Sequence, residues 1–189
     1  HILFLISLLI PAVMILVPQS GRAAGWQPAD ALKPVLKDAI GIVTAFTVAH
    51  SITLCLAALD IVRLPSRLVE SAIAVSVLLA ALNNLYPLVH RRRWLVTFAF
   101  GLIHGFGFAS ALAELDLGRG SLLASLFGFN LGVELGQLAI VVGFLPLAFW
   151  LRQQLLYRRF VLQGGSFAIA LISLGWFGER AFDMRLLPF

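Results

Sequence analysis

The sequence predicts an all-α membrane protein, a polytopic bundle of transmembrane helices. Hydrophobic residues make up 60% of its 189 residues, charged residues only 12%, and the mean hydropathy is +0.97. Soluble domains average about 25% charged residues. Backbone polar groups need internal partners in lipid, so apolar crossing segments are expected to be helical. We expect one integral membrane domain over residues 1–189, preceded in the whole protein by a further N-terminal segment.

Six apolar stretches reach the length of about 20 helical residues that a bilayer core requires. The expected spans are Ile2–Gln19, Ala39–Leu59, Ser71–Val89, Trp94–Ala113, Ser121–Leu151 and Phe160–Gly178. Loops are short except the first, which runs from about Ser20 to Asp38. The odd-numbered loops hold nine of the 14 Lys and Arg residues. The positive-inside rule therefore places the odd-numbered loops in the cytoplasm and both ends of this chain outside it. We expect a location in a bacterial inner membrane, with both ends in the periplasm.

Three His or Glu residues lie inside these apolar stretches. His50 is near the middle of the second expected span, His104 is in the fourth, and Glu134 is in the fifth. A charged residue at the bilayer centre costs roughly 2.5–3.5 kcal/mol on insertion scales, and such residues normally face a bundle interior and mark an ion or substrate path. The sequence therefore predicts a polar site between the helices.

The fifth expected span has two contrasting faces. Asn130, Glu134 and Gln137 recur at a spacing of four and then three residues, which places them on one helical face. The opposite face is expected to pack closely against another helix through Gly128, Gly132 and Gly136. Gly101 and Gly105 are expected to do the same beside His104.

A ligand set of histidine nitrogens and side-chain oxygens indicates a divalent transition metal. Neutral imidazole is the commonest protein metal ligand, and carboxylate or amide oxygens can complete its shell. This donor set suits Ni²⁺, Co²⁺ or Zn²⁺ better than Cu⁺. Cys55 is the single cysteine, which excludes a multi-cysteine metal site. Glu70, about one turn into the third span, could bind a cation or pair with Arg67, and His1 is expected near the outer end of the first span.

Four segments carry a resemblance to a known family. TAFTVAHSITL, RLPSRLVESAIAVSV, FGLIHGFGFASALAELDL and FGFNLGVELGQLA resemble the HupE/UreJ family of nickel or cobalt permease-like membrane proteins, which is often associated with hydrogenase or urease maturation. The opening HILFLISLL resembles the end of that family's G-x-D-H motif. By matching position, the resemblance implies six metal-path residues: His1, His50, Glu70, His104, Asn130 and Glu134.

The leading hypothesis is a divalent transition-metal transporter or metal-binding permease, not an enzyme. Its expected partners are the lipid bilayer and a Ni, Co or Zn ion, with no nucleic acid, and a homo-oligomer or larger membrane complex stays open. Metal ligands must be deprotonated, so uptake should fall at acid pH. The alternatives are an intramembrane zinc enzyme that activates water, a haem anchor with His50 and His104 as axial ligands, and a non-transporting subunit whose polar residues join helices.

Overall fold

The computed structural model describes residues 1–19, 22–89, 92–108 and 119–183. Most of these residues are helical, which confirms the all-α fold class. The α-helices are α1 (Ile2–Leu9), α2 (Leu32–Ala58), α3 (Ser66–Leu85), α4 (Arg93–Phe106), α5 (Arg119–Leu151) and α6 (Ser166–Phe182). The other elements are a 3₁₀ turn (Ile10–Val13), strands β1 (Met14–Gln19) and β2 (Arg22–Pro28), and a π-helical segment (Tyr157–Gly165) that leads into α6.

Four helical segments of the described chain are long and apolar enough to cross a membrane. They are Leu32–Ala58, Ser66–Leu85, Ala124–Leu151 and Tyr157–Phe182. Their length and composition are those of an integral membrane protein. The prediction of about six spans is higher than the four found, and the difference lies in the first and fourth expected spans.

The first expected span, Ile2–Gln19, is not one helix, because proline interrupts it. α1 ends at Leu9, and Pro11 lies in the 3₁₀ turn that follows. Proline has no N–H, so it cannot donate to the carbonyl four residues earlier, which belongs to Ser7. Asn84 Nδ2 donates to that carbonyl instead, at 2.7 Å. A side chain from α3 therefore replaces the helical hydrogen bond that Pro11 removes.

The chain then forms a hairpin that the hydropathy pattern does not reveal. β1 pairs antiparallel with β2, with Met14 opposite Pro28 and Leu16 opposite Trp26. Pairing satisfies backbone groups that would otherwise need a helix. Part of the expected first loop is thus a strand, and α2 begins at Leu32, seven residues before the expected start of the second span.

The fourth expected span, Trp94–Ala113, is only partly covered by α4. α4 has 14 residues, equivalent to about 21 Å of helix against a bilayer core of about 30 Å. The remainder of the expected span lies largely outside the described residues. α3 ends at Leu85, earlier than expected, because the following Tyr86 precedes Pro87 and proline disfavours a helical conformation in the residue before it.

Close helix packing at glycine was expected on both α4 and α5, and the described residues show it on α4 only. A Cβ at Gly101 would stand 2.7 Å from the Phe46 carbonyl oxygen, and one at Gly105 would meet the backbone of α2 at His50. α2 and α4 therefore pack backbone to backbone. Along α5, by contrast, no heavy atom of another described residue lies within 4 Å of a Cβ built at Gly128, Gly132 or Gly136. These three glycines face outward within the described chain.

The other close helix pair is α3 with α6, and a buried amide ties it to the rest of the fold. Asn84, 3% exposed, donates to the Ser7 carbonyl and lies 3.1 Å from Ser166 Oγ at the start of α6. Trp26 Nε1 of β2 donates to the backbone carbonyl of Asn84 at 2.9 Å. One position on α3 thus holds α1, α6 and the hairpin together.

Candidate functional site

Three histidine side chains from three helical elements meet inside the bundle. The ring centroid of His1, beside the first residue of α1, is 5.1 Å from that of His50 on α2 and 4.9 Å from that of His104 on α4. His50 and His104 are completely buried. The sequence predicts His1 near the outer end of the first span, and the structure places its ring beside those of His50 and His104. The three residues are called the histidine cluster below.

Aromatic rings surround the histidine cluster. Phe46 stacks on the His50 ring at 5.7 Å between centroids, and Phe4 lies 4.6 Å from the His104 ring. Phe108 is 4.6 Å from His1, and Phe129 of α5 stacks near His50. These rings exclude water from the imidazoles and provide almost no hydrogen-bonding atoms.

Several imidazole nitrogens in this cluster have no hydrogen-bond partner in the part of the chain that the structure describes. His1 Nε2, both ring nitrogens of His50 and His104 Nδ1 are buried without a hydrogen bond among the described residues. Leaving a buried polar atom unpaired costs about 1–3 kcal/mol. The rings meet edge to face. As the side chains stand, no three His, Cys, Asp or Glu residues of the described ranges are arranged to hold a metal ion.

A serine on α3 fixes the proton position of His104. The Ser76 hydroxyl oxygen lies 2.7 Å from the Ile73 carbonyl oxygen and 2.7 Å from His104 Nε2. Two oxygens at 2.7 Å repel unless a hydrogen lies between them, so the single hydroxyl hydrogen must go to the carbonyl. Ser76 then accepts from an Nε2–H of His104. Neutral histidine has one N–H and one lone-pair nitrogen, so Nδ1 carries the lone pair.

Glu70 lies apart from the histidine cluster. Its carboxylate forms an ion pair of 3.0 Å with Arg180 at the end of α6, and both side chains are partly exposed. Arg67, the partner considered from the sequence, instead donates to the backbone carbonyls of Arg180 and Ala181. The first turn of α3 is therefore tied to the last turn of α6 by charge-assisted hydrogen bonds.

A cavity of about 570 Å³ adjoins Glu70. It lies between the end of α2, the start of α3 and the end of α4, and its polar lining comes from Asp60, Arg63, Ser66 and Glu70. Phe106 and Gly107, which follow His104 closely along α4, also line it. The cavity is therefore on the His104 side of the bundle.

The polar stripe of α5 faces α2 but does not enter the aromatic enclosure. Thr47 donates to Gln137 Oε1 at 3.0 Å, and the Ser51 hydroxyl lies 2.7 Å from Asn130 Oδ1. Asn130 also donates to the Leu126 carbonyl of its own helix. Glu134, between these two amides along α5, is exposed. Of the six residues expected on the metal path, the structure gathers the three histidines and places Glu70, Asn130 and Glu134 elsewhere.

Comparison with known proteins supports a family assignment. The family model described as HupE / UreJ protein matches residues 1–180, nearly the whole chain. The chain belongs to the HupE/UreJ family. This is a permease-like membrane family, not an enzyme family, and it is associated in general with nickel and cobalt transport. Neither the curated proteins nor the solved structures yielded a match to the HupE/UreJ chain.

Sequence reasoning missed two features of this HupE/UreJ chain. Ser76 gave no signal, because serine is common in apolar helices and only its approach to His104 distinguishes it. The aromatic enclosure was missed because Phe4, Phe46, Phe108 and Phe129 are far apart in the sequence and ordinary in composition for a membrane helix. The family motif that contains His104 also contains Phe106 and Phe108, which was the available clue.

Proposed function

We propose that this chain is a permease for a divalent transition-metal ion of the nickel and cobalt type, and that His1, His50 and His104 are its ligands. The metal is the transported substrate. The observation that carries this proposal is the presence of unpartnered imidazole nitrogens on three helical elements inside one water-poor enclosure.

The chemistry of the cluster supports an imidazole-binding metal. Neutral imidazole suits nickel, zinc, copper and iron, whereas Mg²⁺ and Ca²⁺ take oxygen ligands. The Ser76 contact leaves His104 Nδ1 with an available lone pair, and metal-bound histidines usually donate their other N–H to such a second partner. Binding would replace the missing hydrogen bonds of the cluster.

Loading requires a small rearrangement of the rings. The imidazoles now meet edge to face, with centroids about 5 Å apart. They must rotate so that their lone pairs converge at nitrogen–metal distances of about 2.0–2.1 Å, as in zinc sites.

The remaining expected residues have different proposed roles. Glu70 lines the 570 Å³ cavity on the His104 side, and we place it at the approach to the cluster. Asn130 and Glu134 are proposed to lie on the path next to α2, outside the ligand set. Assembly with a second copy or another membrane subunit is compatible with the outward-facing side of α5.

The proposed location is a bacterial inner membrane. The excess of Lys and Arg in the odd-numbered loops supports a cytoplasmic position for the loop that contains Arg92 and for the one that contains Arg158. The end of the chain after α6 would then be periplasmic. His1 lies beside His50, and the periplasmic position expected for the start of the chain is not part of this proposal.

Metal flux into liposomes tests the proposal. Purified protein is reconstituted, and uptake of Ni²⁺, Co²⁺ and Zn²⁺ is measured for the unchanged chain and for His50→Gln and His104→Gln. Each variant should lose most of the flux of the transported ion, because glutamine keeps much of the volume but lacks an imidazole lone pair.

Ser173→Ala is the matched control. Ser173 is fully buried, on α6, and its hydroxyl bonds only the Ile169 carbonyl of its own helix in the described structure. This variant should transport normally. Full flux of all three ions in both histidine variants would reject the proposal.

A further inference from the structure

An apolar cleft of about 590 Å³ opens between α3 and α4. Its walls come from Leu79 and Leu82 of α3, Val96 and Phe100 of α4, and Leu8 of α1. α3 is a candidate membrane span, and Leu79 and Leu82 are both exposed. The cleft is therefore open on the side where membrane lipid would lie. It is separate from the cavity beside Glu70.

The polar residues that line this cleft bond within the protein. Asn83 Nδ2 donates to the Val89 carbonyl, and Asn83 Oδ1 accepts from the Val89 N–H. Asn84 donates to the Ser7 carbonyl, and Thr97 donates to the Arg93 carbonyl. Their side-chain polar groups are thus already hydrogen-bonded to the protein backbone. Along most of its length the cleft presents apolar surface to a bound molecule.

Positive charge lies at one end only. Arg93 lines the cleft at the start of α4, seven residues before Phe100, which corresponds to about 10 Å along a helix. Its guanidinium donates to Asp38 at 3.0 Å and to the Leu8 carbonyl at 2.7 Å. Arg92, the preceding residue, is exposed. With Asp38 counted, the described side chains at this end carry a net positive charge.

Aromatic side chains mark the same end as a membrane boundary. Tyr86, in the cleft lining, is 69% exposed, and Trp94 beside Arg93 is 50% exposed. Tyr and Trp concentrate at the headgroup level of membranes. We therefore expect the charged end at the depth of the lipid phosphates and the Phe100 end deeper in the hydrocarbon.

We propose that the α3–α4 cleft binds an anionic phospholipid. One acyl chain lies against Leu79, Val96 and Phe100, and the phosphate group is bound by Arg92, beside the Arg93–Asp38 pair. Basic pockets between membrane helices on the cytoplasmic side bind acidic lipid headgroups. The Arg93–Asp38 pair ties this mouth to α2, so an occupied site stabilises the junction of α1, α2 and α4.

Native mass spectrometry of the whole chain tests the site. Protein in detergent is mixed with equal amounts of phosphatidylglycerol and phosphatidylcholine, and the bound lipids are counted. Phosphatidylglycerol should bind preferentially and raise the thermal unfolding midpoint. Arg92→Gln should lower that preference about fivefold, since a basic residue near the surface contributes about 1 kcal/mol to the attraction of an acidic lipid.

A second variant tests the acyl-chain contact. Leu79 is 49% exposed and lines the cleft, so Leu79→Trp should fill the opening without disturbing buried residues and should remove the bound lipid. The controls are Arg159→Gln and Leu171→Trp, at exposed positions outside the cleft, which should leave lipid binding unchanged.

Two results would overturn the assignment: equal binding of the two lipids to the unchanged chain, and an unaltered lipid count in Leu79→Trp. If the oligomeric mass of that variant changed while its lipid count did not, a second copy of the chain would be the occupant of the cleft. Metal flux is not a readout here, so the result is independent of the proposed transport function.

Discussion

Ser76 is the residue through which α3 influences the histidine cluster. Its hydroxyl gives its hydrogen to the Ile73 carbonyl and accepts from His104 Nε2–H. The position of one proton on His104 therefore depends on a residue that does not itself belong to the cluster. The pattern of the sequence identified His104 but not the nitrogen that it presents.

Ser76→Ala should release this constraint. We expect His104 to lose its preference for the Nε2–H tautomer, which ¹⁵N chemical shifts of the ring report without any metal present. If the proposed ligand set is correct, nickel affinity should also fall about 10–100-fold, the usual effect of losing a second partner of a metal-bound histidine.

Two comparisons separate this role from a general packing effect. Ser76→Thr retains a hydroxyl and should restore the tautomer preference, and Ser173→Ala should leave the ring shifts unchanged. An unaltered His104 spectrum in Ser76→Ala would contradict the assignment.

Asp60, on the turn after α2, provides a pH-dependent contact. Arg63 hydrogen-bonds its carboxylate, and this bond holds the pKa of Asp60 below its ordinary value of 3.8. A lowered folded-state pKa means that the contact stabilises the fold fully above pH 3.8. The stabilisation is lost as the pH falls through the lowered value.

Arg63→Gln should return the pKa of Asp60 towards 3.8. A ¹³C titration of the labelled carboxyl measures this change, and Arg159→Gln serves as the control for loss of one surface charge. An Asp60 pKa that is the same with and without Arg63 would show that the pair does not persist in solution.

At the scale of elements, glycine determines how closely α4 approaches α2. Gly101 and Gly105 allow the backbone of α4 to approach α2 near His50, whereas Gly128, Gly132 and Gly136 meet no neighbour within 4 Å in the part of the chain that is described. The same small-residue spacing therefore has different consequences in α4 and α5. Only the position of a neighbouring helix distinguishes them.

Gly105→Ala should separate α2 from α4. The added Cβ would clash with Thr53 and with the His50 carbonyl, and would stand 2.9 Å from the Leu54 nitrogen. Backbone atoms cannot move aside as a side chain can, so we expect a loss of at least the 1–3 kcal/mol typical of overpacking. Thermal unfolding in detergent measures this loss.

Gly132→Ala is the matched substitution on α5. It should leave stability unchanged or raise it slightly, because alanine favours a helix over glycine and finds no obstacle here. Equal unfolding temperatures for the two alanine variants would mean that α2 and α4 do not pack as closely as the structure has them.

At the scale of the whole molecule, Asn84 connects elements that are far apart in sequence. Its side chain bonds Ser7 and lies within hydrogen-bond distance of Ser166, and its backbone accepts from Trp26. The need for this connection arises from Pro11, which leaves the Ser7 carbonyl without a helical donor. A break in the first helix is thus compensated by a residue on the third.

Asn84→Leu should destabilise the protein by about 1–3 kcal/mol, the cost of leaving a buried polar group unpaired. The loss should appear as a lower thermal unfolding midpoint. Asn83→Leu is the control: Asn83 bonds only Val89 close by in the described chain, so its replacement should cost less. A larger effect at Asn83 than at Asn84 would contradict the role given to Asn84.

Hydropathy was sufficient to predict the helical membrane fold and the approximate positions of α2, α3, α5 and α6. These helices could be predicted because a segment in lipid must form all its backbone hydrogen bonds internally, and a long continuous apolar sequence identifies such a segment. The hairpin could not be predicted this way. Once neighbouring strands pair their backbone groups, an apolar stretch such as Met14–Gln19 has no need to be helical.

The candidate site was likewise predicted only in part. The sequence alone determined that His50 and His104 lie in apolar helices, where polar side chains are costly, and the family motifs drew attention to the same residues together with His1. Only the tertiary structure brought the three rings within about 5 Å, separated Glu70 and Glu134 from them, and placed Ser76 behind His104. Residue type and spacing fix what a helix must bury, but the angle and rotation of its neighbours decide which buried groups meet.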